Sequence, residues 1–177
     1  MTVSLRTARL LLRQWRDADV AAAAELSADP GVMEYLLPRP DWAARKRAHW
    51  AQHGFGEWVV EIPGEASFIG VVGLETVSYD AHFTPAVEIA WRLARANWGR
   101  GYATEAARAA LDYGYEKLGL EEIVAVTVPA NWRSRRVMEC LGMTRSPKDD
   151  FDHPNVPEGS LKRCVLYRSR NPKAAAP

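Results

Sequence analysis

A glycine-containing turn is the first feature of the sequence whose residue types suggest chemistry. Gly99 and Gly101 lie within the segment Trp98 to Ala103, between a predicted strand and the start of a predicted helix. Such a turn can direct several backbone N–H groups into one concavity at the positive end of the helix dipole, which suits a phosphate or pyrophosphate. The turn is therefore a candidate anion-binding site, and the alternative is a tight turn whose glycines only permit close packing.

Two common nucleotide-binding motifs do not fit this turn. A Walker P-loop has Lys followed by Ser or Thr after its second glycine, where this chain has Tyr102 and Ala103. A Rossmann fingerprint requires a third glycine, which the segment lacks. Both nucleotide-binding interpretations are therefore weakened.

The elements on either side of the turn indicate how it is positioned. Residues 87–93 alternate with a period of two, so Glu88, Ala90 and Arg92 lie on one face of a strand and the apolar residues on the other. After the turn, small and apolar residues recur at helical spacing up to Leu118, so this helix can lie close to a sheet. A strand–helix–strand order with a second buried strand predicts a crossover unit.

The remaining elements follow from shorter patterns. The predicted elements are a strand at 9–13, a helix capped by Asp17 and running to Leu26, a helix capped by Asp41 and running to about His53, a hairpin turning at Pro63-Gly64, a strand at 123–128, a helix at about 132–140, a long loop at 146–160 and a strand at 161–168. We expect one domain over residues 1–170 and a disordered tail over residues 171–177.

Composition excludes several classes of function. The chain has 177 residues, with 23 Lys and Arg against 22 Asp and Glu, so its net charge of +1 favours neither nucleic acid nor an anionic membrane. The start of the chain shows no signal peptide, so we expect a cytoplasmic protein. Cys140 and Cys164 are too few for a disulfide framework and are expected in the core. His49 and His53 have the spacing of metal ligands but no third ligand nearby, so we expect no metal site.

The sequence resembles the GNAT superfamily of acetyl-CoA-dependent N-acetyltransferases, in particular the branch of the ribosomal-protein N-terminal acetyltransferases. The resemblance covers nearly the whole chain. It rests on the order and spacing of Thr7 to Arg13, Trp98 to Ala106, Asn131-x-x-Ser134, Leu141-Gly142 and Val165 to Arg168. It implies an α+β fold with a mixed, mostly antiparallel sheet of about seven strands, flanked by helices. Two neighbouring parallel strands of this sheet splay apart to admit the pantetheine arm.

The resemblance also implies which residues hold acetyl-CoA. Backbone groups near Trp91 and Leu93 are expected to pair with the pantetheine amides. The residues expected to hold the pyrophosphate are Trp98, Gly99, Arg100, Gly101, Tyr102, Ala103 and Thr104. The residues expected to face the cofactor from the other side are Asn131, Ser134 and Arg136, with Arg135 as a less favoured phosphate ligand. The arginines are also typical of a solvated helix face.

Acyl transfer from a thioester to an amine requires a neutral nucleophile. An α-amino group has a pKa of about 7.7 to 8.0, so a base acting through water is sufficient to keep it neutral. Family members often carry an acidic residue at the position of Glu88, which we therefore expect to be the base. Glu34, Glu75 and His82 remain alternatives, and a salt-bridged surface carboxylate is the non-catalytic interpretation of Glu88.

One departure from the family pattern concerns the leaving thiolate. Many members have a tyrosine general acid four residues before the glycine equivalent to Gly142, and this chain has Met138 there. The branch it resembles assigns that role to a serine, which makes Ser134 a second catalytic candidate. A thiol with a pKa of about 8.5 also leaves readily as thiolate, which lowers the demand for an acid.

The resemblance implies an acetyl-CoA-dependent N-acetyltransferase that works by direct attack in a ternary complex, as a monomer or homodimer. The acceptor is a primary amine, such as a protein N-terminal α-amine, an amino acid, a polyamine or an aminoglycoside. Trp42, Trp50 and Trp58 are candidates for lining the acceptor site. Because Met138 replaces the usual tyrosine, a catalytically silent acyl-CoA-binding regulatory domain is a further alternative.

Overall fold

A mixed, mostly antiparallel sheet forms the centre of the fold in the computed structural model, which describes residues 3–174. The strands are β1 (Leu5–Arg6), β2 (Leu11–Arg13), β3 (Glu57–Ile62), β4 (Ala66–Thr76), β5 (Val87–Leu93), β6 (Glu122–Thr127), β7 (Thr144–Arg145), β8 (Phe151–Asp152) and β9 (Arg163–Arg170). They pair in the order β1-β2-β3-β4-β5-β6-β9-β7, and β8 pairs with β9. The predicted α+β fold is confirmed, with nine strands within the described residues in place of about seven, and three of the nine have only two residues.

Helices cover both faces of the sheet. They are α1 (Asp19–Ala28), α2 (Pro30–Met33), α3 (Trp42–His53), α4 (Tyr102–Glu116) and α5 (Trp132–Cys140). Residues of α4 pack with Ile89 in the larger core cluster, whereas Leu26 of α1 and Trp42 of α3 pack on Val59 and Val71 on the opposite face. The face of β5 that carries Glu88 and Arg92 is therefore the face toward α1 and α3.

Two predicted helix caps are wrong in detail. Neither α1 nor α3 has a side-chain cap, so Asp17 and Asp41 do not fill that role. Asp17 instead pairs with Arg47 at 2.7 Å. In α1 the carboxylate of Asp19 accepts the Arg16 backbone N–H at 2.6 Å and pairs with the buried Arg13 guanidinium at 2.8 Å. The ion pair with the buried Arg13 therefore orients Asp19 at the start of α1, and Asp17 does not cap the helix.

The helix after the glycine turn lies close to the sheet, as its small residues predict. At Gly114, an added Cβ would stand 2.7 Å from Ile123 Cδ1, which is closer than real Cβ atoms approach, and 3.0 Å from Leu74 Cδ1, which is a tight contact. Ala106, Ala107 and Ala110 of the same helix are fully buried. The position of α4, and with it the glycine turn at its start, is therefore fixed by close packing on β4 and β6.

The parallel pair β5 and β6 separates along its length. Its ladder contains one registered pair, Glu88 with Val124, whereas β4 and β5 are paired over seven residues from Gly70–Leu93 to Thr76–Val87. Beyond Glu88, toward Leu93, the edge of β5 is therefore no longer joined to β6. This is the splayed strand pair that the family resemblance implies.

Several smaller expectations have mixed outcomes. Cys164 is buried, but Cys140 is exposed and is not a core residue. In the expected tail, the Asn171 backbone N–H donates to the Glu121 carbonyl at 2.8 Å, and residues 175–177 lie outside the described residues. Within residues 3–174, no helix has the length and apolar character needed to cross a membrane.

Candidate active site

A cavity of about 520 Å³ opens where β5 and β6 separate. One wall is β5 from Glu88 to Leu93, and the opposite wall is the end of β6 together with α5. The glycine turn and the first turn of α4 close one end, and residues of α2 and the segment after it, including Tyr35, lie at another. The cavity therefore joins the predicted anion-binding turn to the face of β5 that carries Glu88.

The glycine turn presents unpaired backbone donors to this cavity. Gly99 and Gly101 have φ angles of 72° and 79°, a left-handed conformation that glycine adopts without strain. Gly101 is the N-cap of α4, which has no side-chain cap, and Tyr102, Ala103 and Thr104 of its first turn line the cavity. Because the first N–H groups of a helix have no intrahelical partner, they remain available to an anion at the positive helix terminus. The turn thus fits a diphosphate.

The N-terminal segment braces this turn from outside. The Arg9 side chain donates from Nε to Glu105 Oε2 at 2.7 Å and from Nη1 to the Arg100 carbonyl at 3.0 Å, and its guanidinium lies 4.6 Å from the centre of the Tyr102 ring. The Thr7 hydroxyl donates to Glu105 Oε1 at 2.6 Å. These contacts tie Arg100 and the first turn of α4 to one segment, which helps the backbone donors to keep their directions.

Asn131 and Ser134 form the start of α5 on the far wall. The Asn131 carboxamide oxygen accepts the Ser134 backbone N–H at 3.1 Å and so caps the helix, while Nδ2 donates to Thr127 Oγ1 at 3.0 Å. The Asn-x-x-Ser spacing is therefore first a helix cap that fixes α5 to the end of β6. Both residues line the cavity, as does the buried Met138.

Glu88 has a shifted proton affinity. It is half-buried in the cavity wall, and burial raises the pKa of its carboxyl group to about 7. Lys46 and a hydrogen bond from the Val126 backbone oppose this rise, and the negative charges of Glu75 and Glu57 add to it. A carboxylate with this pKa exchanges protons near neutral pH, which is the property of a general base.

The charges that act on Glu88 form a buried network. Lys46 of α3 places Nζ 2.8 Å from Glu57 Oε1 and 2.6 Å from Glu75 Oε2. Glu75 stands directly opposite Glu88 in the β4–β5 ladder. One ammonium group therefore already holds two carboxylates, so Glu88 is left as the third acid of the cluster without its own cation.

The three other residues considered as the general base lie outside the cavity lining. Glu75 pairs with Lys46, Glu34 pairs with Arg133 at 3.3 Å, and His82 lies 3.9 Å from Asp149. None of the three lines the cavity, and Glu88 is its one acidic lining residue within the described part of the chain.

The structure brings most of the predicted site residues together around this cavity. Those that line it are Glu88, Trp91, Leu93, Trp98, Gly99, Gly101, Tyr102, Ala103, Thr104, Asn131, Ser134 and Arg136. Arg100 lies outside the lining, 3.9 Å from Glu65 and 5.0 Å from the centre of the Tyr102 ring. Trp42, Trp50 and Trp58 are also absent from the lining: Trp42 and Trp58 are buried core residues, and Trp50 packs against the larger core cluster.

Arg92 is a site residue that the sequence prediction did not assign. It lines the cavity on the same face of β5 as Glu88 and Ala90, and its guanidinium lies 3.9 Å from the centre of the Trp42 ring. The period-two pattern already placed it beside Glu88, which was the available signal. Its partners come from α1 and α3, and no local pattern predicts such contacts.

This combination of fold and cavity defines an acyl-CoA-dependent acetyltransferase. The family model described as "Acetyltransferase (GNAT) domain" matches residues 9–144, so the chain belongs to the GNAT acetyltransferase family. A relative from Aspergillus fumigatus, named FsC-acetyl coenzyme A-N(2)-transacetylase, is 31% identical in an alignment that covers 92% of this chain and 75% of the relative. The chain is accordingly an N-acetyltransferase.

Solved structures show the same fold. An acetyltransferase from Agrobacterium tumefaciens is 29% identical with a TM-score of 0.76, covering 96% of this chain and 95% of that chain. Mycobacterium smegmatis RimJ, solved in complex with CoA-disulfide, is 24% identical with a TM-score of 0.75, covering 99% and 89%. The second likeness concerns the fold alone. The acyl donor of this family is acetyl-CoA.

Proposed function

We propose that the chain transfers an acetyl group from acetyl-CoA to an α-amine, such as the N-terminal amine of a protein or peptide, by direct attack in a ternary complex. The observation that carries this proposal is Glu88, the one acidic residue in the cavity wall within the described residues, with a pKa of about 7. An α-amine has a pKa of about 7.7 to 8.0, so a base of this strength is matched to it.

The cofactor-binding residues follow from the cavity. Acetyl-CoA supplies an acetyl thioester, which a neutral amine can attack without further activation. The uncapped start of α4 and the glycine turn are suited to the diphosphate, and the free edge of β5 near Trp91 and Leu93 is suited to the pantetheine amides. Asn131, Ser134 and Arg136 support the other side. Glu88 accepts the amine proton at its carboxylate, directly or through one water.

The charge of the cavity wall argues against a polycationic acceptor. Glu88 is the single carboxylate of its lining within the described residues, and the guanidinium group of Arg92 lies on the same face of β5. Polyamines and aminoglycosides carry several positive charges and require acidic surroundings, because like charges at close range repel each other. An acceptor with one amine and no other positive charge fits this wall better.

Thiol release from acetyl-CoA tests the proposed function. Purified protein is incubated with N-terminal peptides, free amino acids, polyamines and aminoglycosides, and free CoA is followed over time. We expect turnover with α-amines and little with polycations. Turnover of a polyamine above every α-amine would contradict the proposed acceptor, and CoA binding without turnover of any amine would support a silent binding domain.

Ser134 provides a further prediction. Both Ser134 and Met138 line the cavity, and only the serine hydroxyl can donate a hydrogen bond or a proton there. We expect Ser134→Ala to weaken CoA binding roughly 2- to 10-fold, which corresponds to one neutral hydrogen bond. The decrease in kcat should stay below about 10-fold, because a thiol with a pKa of about 8.5 leaves readily without an acid. Calorimetric titration with CoA and steady-state kinetics measure the two effects.

Ser146→Ala is the matched control, since Ser146 lies outside the cavity and makes no side-chain cap bond. It should leave both quantities at their original values. Unchanged affinity and unchanged kcat in Ser134→Ala would remove Ser134 from the site.

A further inference from the structure

Arg92 is a half-buried cation in the cavity that lacks an ion-pair partner. Its Nη1 donates to Ser27 Oγ at 3.4 Å, and within residues 3–174 no carboxylate pairs with it. The other two guanidinium groups of the lining are engaged, Arg133 with Glu34 at 3.3 Å and Arg136 with Glu139 at 4.0 Å. A guanidinium carries five N–H donors, so most of those on Arg92 have no protein acceptor.

Placing this cation in the wall is unfavourable without a counter-charge. Burial lowers the pKa of the Arg92 guanidinium and Glu57 opposes the shift, but an arginine remains charged in proteins. Glu57 is already bound to Lys46 at 2.8 Å. A buried charge that is not directly paired costs stability unless a ligand supplies the partner.

The surroundings of Arg92 hold it ready for such a ligand. The Trp42 ring lies under the guanidinium at 3.9 Å, and Trp42 itself is buried between α3 and the sheet. Stacking fixes the plane of the guanidinium but leaves its edge free to form two parallel hydrogen bonds. A carboxylate is the group that matches this edge in both charge and shape.

The position of Arg92 relative to Glu88 limits which acceptor molecules can contact both residues. The two residues are four apart on one face of β5, about 13 Å between Cα atoms at about 3.3 Å rise per residue. A hydrogen bond at Arg92 and a water-mediated one at Glu88 would take up part of this span, and the small Ala90 between them leaves room in the cavity lining. An amine near Glu88 and an acidic group near Arg92 therefore belong to one compact acceptor.

We infer that the acceptor carries a carboxylate a few bonds from the reacting amine and that Arg92 binds this carboxylate. This inference rests on the proposed acetyl transfer to an α-amine. The carboxylate has two sources: the α-carboxylate of a free amino acid, or an acidic side chain close to the N terminus of a peptide.

Paired acceptors with and without this charge test the inference, with kcat/KM referred to the neutral amine fraction of each member because the carboxylate also makes the neighbouring amine more basic. The first series compares free α-amino acids with their carboxamides, and the second compares C-terminally amidated tetrapeptides with Glu or Gln at position two. Thiol release gives kcat/KM for each member. We expect the carboxylate member of one series to be favoured by roughly 10- to 100-fold, as for a charge-assisted bidentate pair. The series that shows the preference identifies the source.

Variants at Arg92 assign the preference to this residue. Arg92→Gln should reduce the preference to about threefold or less, mainly through a higher KM for the carboxylate member, and Arg92→Lys should restore part of it. Arg47→Gln removes an exposed guanidinium on α3 outside the cavity and should leave the preference intact. An equal loss on both members of a pair in Arg92→Gln would indicate only packing against Trp42 and would overturn the inference.

A binding measurement separates this inference from the proposed activity. Protein saturated with CoA is titrated with each member of a pair by calorimetry. Tighter binding of the carboxylate member, lost in Arg92→Gln, supports the inference even without turnover. Equal binding of both members, or no detectable binding of either, means that the assignment is wrong, whereas absence of thiol release with every amine contradicts the proposed function alone.

Discussion

Glu88→Gln is expected to lower kcat for the α-amine acceptor by about 100-fold, near the lower end of the range for loss of a general base. Glutamine keeps the size of the side chain and one acceptor oxygen but cannot accept the amine proton. CoA affinity should change little, because the diphosphate is proposed to bind at the start of α4, away from this carboxylate. Steady-state kinetics and CoA titration measure the two quantities.

The pH dependence of kcat/KM tests the role of Glu88 more specifically than the decrease in kcat does. Glu88 acts as a base only when ionised, so activity should rise with increasing pH through a pKa of about 7. An acceptor α-amine adds a second rise at about 7.7 to 8.0 as it loses its proton. The substitution should remove the lower step and leave the upper one, which a pH series of kcat/KM resolves.

Glu75→Gln is the matched control for the electrostatic argument. Glu75 stands opposite Glu88 and its negative charge raises the pKa of Glu88, so its removal should move the lower step to lower pH. The chemistry itself should persist in this variant, because Glu75 lies outside the cavity lining. Retention of kcat within about threefold in Glu88→Gln, with an unchanged pH profile, would place the base elsewhere.

Gly101→Trp is expected to weaken CoA binding by at least about 100-fold in a protein that still folds. A residue with a Cβ at φ 79° is strained by about 1 to 2 kcal/mol, which distorts the turn. An added Cβ at this position would stand 3.4 Å from Arg9 Nη2, so the indole would also displace the side chain that braces the turn. Losing several charge-assisted hydrogen bonds together has a larger effect than losing any single side chain of the site.

Gly119→Trp separates the loss of the anion site from backbone strain. Gly119 has a φ of 67° and no heavy atom within 4 Å of an added Cβ, and it follows the far end of α4. Both variants should therefore show a similar decrease in melting temperature, but only Gly101→Trp should lose CoA binding. Normal CoA affinity in folded Gly101→Trp would show that the diphosphate binds elsewhere.

The parts of this molecule that the sequence predicts well are those with a local cause. Alternation over residues 87–93 places Glu88 on the face opposite Ile89, and the structure has the same arrangement. The glycine turn and the small residues of α4 predict a helix start that is open to an anion and close to the sheet, and both features are present. Backbone geometry and side-chain periodicity are properties of neighbouring residues, so they can be read from one segment.

The parts that the sequence does not predict arise from contacts between distant segments. Lys46 reaches Glu57 and Glu75 from a different helix, and Arg92 meets Trp42 from fifty positions away. Asp17 has the residue type of a helix cap, but Arg13 orients Asp19 instead. The two-residue strands β1, β7 and β8 are too short to show alternation, and they pair only because longer strands offer them an edge.

The separation of β5 from β6 has a consequence for the stability of the whole molecule. Five strands belong to one half-sheet and four to the other, and a single ladder pair together with α4 forms the seam between them. A molecule seated along this seam touches both halves and binds only the native state. Coenzyme bound at this proposed site should therefore add to the core packing that already joins the two halves, so the melting temperature should rise with coenzyme concentration.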